Sequence, residues 1–147
     1  MAKRAHLELL EFFPYLVNRL GFALVERFER ETLKRHHLSI ATWRVLAALS
    51  SNGEQRQIDL AQMTSIDVST LSRLVTRTVR MGLVTRTRSK SSSREVLVSL
   101  SPKGRKVADR LIPMAMKLQK NAVIGLPESE LQITRRVLRR MYQNLKG

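Results

Sequence analysis

The stretch from Val68 to Met81, VSTLSRLVTRTVRM, constrains the fold more tightly than any other part of the chain. On a helix at 100° per residue, Ser69, Thr70, Ser72, Arg73, Thr76, Arg77 and Arg80 fall on one side, and Val68, Leu71, Leu74, Val75, Val79 and Met81 on the other. That split predicts a helix with one buried face. Thr78 is the one polar residue on the apolar side, where its methyl group can pack and its hydroxyl can bond back to the preceding turn. Asp67 stands at the N-cap position and Gly82 at the terminating one. The outward face carries hydroxyls and guanidiniums and no Glu or Asp. An ordinary solvated face mixes signs, whereas hydroxyls and guanidiniums together are the groups that bind phosphates and base edges.

The flanking residues complete a pattern. After Gly82, LVTRTR alternates with a period of two, and EVLVSL places Val96, Val98 and Leu100 on one side, so both read as strands of an antiparallel hairpin. The tip between them, SKSSSR, has no Asn-Gly or Asp-Gly pair and is longer than a tight turn, which predicts a flexible, cationic, protruding loop. Upstream, IDLAQMT forms a short helix, separated from the longer one by SID. Two helices joined by a tight turn and followed by a hairpin make a winged helix-turn-helix, with the second helix aimed at the major groove of duplex DNA and the hairpin beside it. From Val68 to Ala108 there is one acid, Glu95, against ten basic residues, and ten of the twelve acids lie outside residues 67–95. The candidate DNA contacts are therefore Ser69, Thr70, Ser72, Arg73, Thr76 and Arg77 on the helix, and Arg86, Arg88, Lys90 and Arg94 on the hairpin.

Composition agrees with a polyanionic partner. The formal net charge is +15 on 147 residues. Charge of that density repels itself, and nucleic acid is the first candidate to offset it, with an anionic membrane surface second. The length suits one domain with one core, so the expected fold class is mainly α with a small β-hairpin wing. No apolar run approaches the roughly 18 residues of a membrane span. The opening MAKRAHLELLEFFPYLV starts basic and turns apolar, but Glu8 and Glu11 interrupt it and no small-residue cleavage site follows. It is not read as a signal peptide, and the expected location is the cytoplasm. The absence of cysteine excludes disulfides, thiolate zinc sites and thiol-based sensing. No glycine-rich phosphate loop, nucleophile elbow or metal-ligand spacing is present, and the adjacent His36 and His37 point to different sides of a helix. No enzyme activity, cofactor or metal site is expected.

Helical periods fill the remainder. Leu10, Phe13, Val17, Leu20 and Leu24 recur at three- and four-residue spacings, the seam of a helix that packs on another helix and runs on to about Arg35. Pro14 marks either its start or a kink. Ser39 caps a buried helix, IATWRVLAALS, that SNGE ends. The C-terminal third opens with a Ser cap and Pro102 at the first helical position, and Pro113 is expected to bend that helix. The last helix carries Leu131, Val137, Leu138, Met141, Tyr142 and Leu145. This is more apolar surface than one small lobe can bury.

In their order and spacing, LSIATWRVLAALS, IDLAQMTSIDVSTLSRLVTRTVRMGLVTR, REVLVSLSPKGRKVADRL and GLPESELQITRRVLRRM together resemble a MarR-type transcriptional regulator, from about Leu7 to Leu145. The resemblance implies a homodimer joined through its N- and C-terminal helices, here 7–36 and 103–147. Its winged helix-turn-helix lobes, here 39–101, would read a pseudo-palindromic operator, with a small ligand usually relieving repression. By position, the recognition helix is Asp67 to Met81 and the wing Arg86 to Arg94. Members commonly carry Asp-Arg-Arg or Asp-x-Arg at the wing, where the acid helps to fix the loop and the last arginine enters the minor groove. Here those positions are Ser92, Ser93 and Arg94, so the arginine stands without its acid.

The family's effector cleft lies where the dimer helices meet the winged lobe, which in this chain brings in Phe13, Arg19, His36, Trp43 and Arg44. Aromatic walls with a guanidinium suit a flat carboxylate, because stacking buries the ring while the arginine satisfies the anion, so the expected effector is an aromatic acid or its conjugate. Phe13 and Trp43 would equally serve a core, and Arg44 an ion pair with Glu26 or Glu29. Arg135, Arg136, Arg139 and Arg140 form a second basic cluster, read as a solvated helix face rather than a DNA contact. The competing function is a ligand-independent or architectural basic DNA-binding protein, which needs the basic segment but not the aromatic-bearing helices ahead of it.

Overall fold

The computed structural model describes residues 3–147. The chain forms two compact units, one ending at Ala115 and one running from Met116 to Gly147. The elements are α1 (Phe13–Glu31), α2 (Ile40–Asn52), β1 (Gln55–Arg56), α3 (Gln57–Thr64), α4 (Val68–Arg80), β2 (Val84–Arg88), β3 (Val96–Leu100), α5 (Pro102–Ala122) and α6 (Glu128–Lys146).

In α1, Pro14 sits in the first turn, where its missing N–H has no helical partner to lose, so the helix begins there and is not kinked. The helix stops at Glu31, short of the expected Arg35. Thr32 leaves helical geometry while its N–H still reaches Phe28 O at 3.0 Å. A 3-10 turn over Leu33–His36 follows, closed by His37 in the left-handed region at φ 55°. The turn coincides with Leu33, which is fully buried. Polar residues on either side of it give no periodic mark of this break.

The winged lobe follows the expected capping logic. Ser39 Oγ accepts the Thr42 N–H at 3.1 Å to start α2, and Gly53 at φ 73° ends it. Asp67 Oδ1 accepts the Thr70 N–H at 2.9 Å to start α4. At the other end of α4, the Gly82 N–H donates to Val79 O at 2.9 Å and the Leu83 N–H to Thr78 O at 3.1 Å, with Gly82 at φ 74°. This paired closure needs a left-handed residue at its corner, which glycine adopts without a Cβ penalty. Val45, Leu46 and Leu49 of α2, Leu60 of α3, Leu71, Leu74 and Val75 of α4, and Leu83, Val84 and Val98 make one buried cluster. Thr78 is fully buried and its hydroxyl donates to Leu74 O at 2.6 Å. Val68 and Val79, expected on the buried side, remain 54% and 39% exposed. Val68 opens the helix at its free end, and Val79 lies at the margin of the stripe that Leu71, Leu74, Val75 and Thr78 define.

The sheet has three strands where the hairpin pattern predicts two, in the order β1-β3-β2, all antiparallel. In the wing, Val84 opposes Leu100 and Arg88 opposes Val96. The extra strand is Gln55 and Arg56, opposite Val98 and Leu97. Two polar residues are too short a run to show a period of two.

Helix α5 joins the first unit through its opening turns, where Gly104, Ala108 and Leu111 are buried. It stays one helix through Pro113, which leaves the Asp109 carbonyl without its usual donor. In the second unit Gly125, at φ 81°, lies between α5 and α6, and Arg135 Nη1 donates to Glu128 Oε1 at 2.9 Å. Glu128 and Glu130 occupy the first turn of α6, where negative charge complements the helix dipole. Among the described residues, no helix is long and apolar enough to cross a membrane.

Candidate nucleic-acid interface

Helix α4 turns its polar face outward. Ser69, Thr70, Arg73, Arg77 and Arg80 are exposed, and Ser72 and Thr76 are half-buried. Both hydroxyl-bearing residues of the first turn are tied to the cap. Asp67 Oδ1 accepts the Ser69 hydroxyl at 2.8 Å as well as the Thr70 amide. The Thr70 bonds first and the Ser69 hydroxyl next hold the Asp67 carboxyl down at about 2, so the cap stays ionised across ordinary pH. Arg73 Nη2 leans toward Thr70 Oγ1 at 3.5 Å, and no side-chain bond holds Arg77 or Arg80 among the described residues. Arg73 and Arg77 therefore stand one helical turn apart on the open face, with guanidiniums available to an anion or a base edge.

The hairpin residues divide into two groups. Arg88, Lys90 and Arg94 are exposed. Arg88 Nη1 braces the loop by donating to Ser93 O at 2.7 Å, and the side chains of Lys90 and Arg94 make no hydrogen bond among the described residues. Arg86 is different. It is half-buried and donates from Nη1 to Thr76 Oγ1 at 2.9 Å and from Nη2 to Ser72 O at 2.7 Å. Its guanidinium ties β2 to α4 and occupies the Thr76 hydroxyl, so the candidate DNA contacts Arg86 and Thr76 are spent partly on each other, whereas Ser72 lends only its carbonyl and keeps its hydroxyl free of side-chain bonds among the described residues.

The tip is organised by its own bonds. The Ser89 N–H donates to Glu95 O at 2.9 Å, the Glu95 N–H to Ser92 O at 3.2 Å, and the Ser89 and Ser91 hydroxyls pair at 2.8 Å. Glu95, next to Arg94, is held from outside the hairpin. Glu95 Oε1 accepts from Arg56 Nη1 at 3.1 Å, while Arg56 Nε and Nη2 make a two-pronged pair with Asp59 at 2.7 and 3.0 Å. The bonds to Asp59 first, and to Glu95 second, push the Arg56 pKa up. Nothing in a polar Gln-Arg pair marks this guanidinium in the sequence; only the pairing of β1 with β3 brings it to the wing.

The five effector candidates do not form one site within the chain. Trp43 and Arg44 line an open cavity of about 540 Å³, together with Ala47, Ala48 and Asn52 of α2 and Met63, Thr64 and Ser65 at the end of α3. Trp43 also packs edge-on against Phe28 of α1, with ring centroids 5.3 Å apart. Arg44 makes no ion pair among the described residues, so the anticipated partners Glu26 and Glu29 do not hold it. Phe13, 63% exposed, and the exposed Arg19 and His36 lie outside this cavity. Arg19 donates to the Tyr15 hydroxyl at 3.3 Å and stacks over its ring.

A helix pair with a freely presented cationic second helix, flanked by a three-stranded wing, defines a winged helix-turn-helix transcriptional regulator. The MarR family's sequence profile matches residues 38–96. A MarR-family transcriptional regulator from Silicibacter pomeroyi superposes with a TM-score of 0.85 at 30% identity, covering 97% of this chain and 95% of its own. The chain belongs to the MarR family. It is 28% identical over 137 residues to the HTH-type transcriptional repressor IacR of Pseudomonas putida, covering 92% of this chain and 81% of IacR. BpsR of Bordetella bronchiseptica, whose DNA binding is regulated by 6-hydroxynicotinic acid, matches with a TM-score of 0.81 at 26% identity, over 94% of this chain and 98% of that one.

Proposed function

We propose that the chain is a cytoplasmic, homodimeric repressor that binds a pseudo-palindromic duplex operator and leaves it when a small aromatic acid binds. The observation that carries the DNA half is the acid-free outer face of α4, backed by the buried stripe of Leu71, Leu74, Val75 and Thr78 and by an ionised cap. Ser69, Thr70, Arg73 and Arg77 enter the major groove, and Arg88, Lys90 and Arg94 of the wing meet the flanking backbone or minor groove. Dimerisation uses residues 7–36 and 103–147, and residues 39–101 form the reading lobe. Kinship with the repressor IacR supports repression as the sign of action.

The ligand half rests on Trp43 and Arg44. A guanidinium with no protein anion beside it, next to an indole face in an open cavity, suits a flat carboxylate, and the regulation of BpsR by 6-hydroxynicotinic acid supports that chemistry. Because Trp43 also touches Phe28 of α1, a ligand stacked on the indole bears on the first helix and biases the protein between DNA-competent and DNA-incompetent arrangements. Aromatic carboxylates titrated into the protein–operator complex, with fluorescence of Trp43 as the second readout, test this. The expected result is operator release with a parallel change in emission, and an Arg44→Ala protein that needs about tenfold or more ligand, the worth of a charge-assisted hydrogen bond. If no aromatic carboxylate moves either signal at millimolar concentration, the protein is a ligand-independent repressor.

A further inference from the structure

Each strand of the wing is tied down by one arginine. Arg86 holds β2 to α4 through Thr76 and the Ser72 carbonyl. Arg56 holds the tip-side start of β3, bridging Asp59 in the first turn of α3 to Glu95 beside Val96. Among the described residues, the Arg56–Glu95 contact is the only side-chain hydrogen bond joining residues 87–96 to the rest of the chain. All other side-chain bonds of that segment stay inside it.

We propose that Arg56, Asp59 and Glu95 form a positioning clamp that presets the wing beside the recognition helix, so that DNA affinity depends on a carboxylate, Glu95, standing in a predominantly cationic segment. The inference rests on the reading that α4 and the wing bind one duplex. Charge alone argues for the opposite effect, since an acid facing a polyanion repels it. Folding stability does not explain the arrangement either, because all three side chains are at least one-third exposed and exposed ion pairs add little. What the contact supplies is orientation. Glu95 adjoins Arg94, whose side chain is exposed and unbonded, and the Ser92 hydroxyl accepts the Arg94 N–H at 3.4 Å. Fixing Glu95 against Arg56 fixes the peptide that carries Arg94. With Arg56 already shared between two carboxylates, its own charge contributes little to phosphate binding.

The test measures affinity for a duplex recovered by selection with the wild-type protein, as a function of salt, for wild type, Glu95→Gln, Arg56→Gln and the double variant, with thermal unfolding of each as the control. Glu95→Gln, although it removes a negative charge, weakens binding by about threefold to tenfold, because the duplex must then order the wing itself, and the melting temperature stays near wild type. Arg56→Gln gives a loss of similar size with an unchanged salt slope. In the Arg56→Gln background the effect of Glu95→Gln changes sign, since an unclamped acid only repels DNA. Binding of Glu95→Gln equal to or tighter than wild type, or losses that simply add in the double variant, would overturn the clamp while leaving the DNA-binding reading intact. A wild-type protein that selects no duplex would instead overturn that reading, and the clamp with it.

Discussion

Gly104 packs the start of α5 against Leu83, just past the end of the recognition helix. A Cβ at this position would stand 1.8 Å from the Leu83 carbonyl oxygen and 2.8 Å from its carbonyl carbon. The obstacle is backbone, which cannot swing aside as a long side chain would. Around this contact the start of α5 grips the end of α4. Ser101 Oγ donates to Gly82 O at 2.5 Å, the Ser101 N–H to Leu83 O at 3.0 Å, and Lys103 Nζ to Met81 O at 2.9 Å. The Gly104 N–H closes the set on Ser101 Oγ at 2.9 Å. Gly104→Ala must therefore push α5 off the α4 cap, and overpacking of this kind costs about 1–3 kcal/mol. Thermal unfolding should show a clearly lowered midpoint, with DNA affinity reduced as well because the recognition helix loses its anchor. An unchanged midpoint would mean that α5 does not press on Leu83 in solution.

Elements show how much the sequence makes legible, and why. Most of α4 could be read in advance, cap, stop, the central buried stripe and even the back-bonded Thr78, because its period, its N-cap Asp67 and its Gly82 all agree; Val68 and Val79, at the end and margin of that stripe, are the exceptions. The break after Glu31 and the strand at Gln55–Arg56 could not, since each is set by tertiary partners that leave no local pattern. The same holds for the wing. Its arginines were visible, but that Arg86 faces inward and that Glu95 is held by Arg56, 39 residues earlier, depends on sheet pairing. These geometries separate the roles of two arginines. Arg73→Ala on α4 should cost about 1–3 kcal/mol of operator affinity and relax the preference at one base pair, the behaviour of a guanidinium bidentate to guanine. Arg94→Ala should weaken all duplexes alike and lower the salt slope by roughly one, the behaviour of a backbone contact. If Arg94→Ala changed neither affinity nor slope, the wing would not reach DNA.

At the scale of the molecule, the packed lobe contrasts with helices that lack cover. In α1, Phe13, Leu16, Val17, Leu20 and Phe22 are all exposed, and in α6 so are Ile133, Val137, Leu138, Tyr142 and Leu145. Contiguous exposed apolar residues mark association surfaces, and a second copy of the chain is the partner proposed to cover both sets. A two-fold dimer presents two α4 helices, so its operator must repeat its half-site in inverted orientation, with centres about one helical turn, roughly 10 base pairs, or a multiple of it apart. An architectural binder with the same +15 charge would have no such requirement. Recovery of bound duplexes from random DNA by the full-length protein, at an ionic strength high enough to suppress nonspecific binding, distinguishes the two most directly. A two-fold symmetric motif with that spacing is the predicted result, and recovered sequences without a symmetric motif would contradict it.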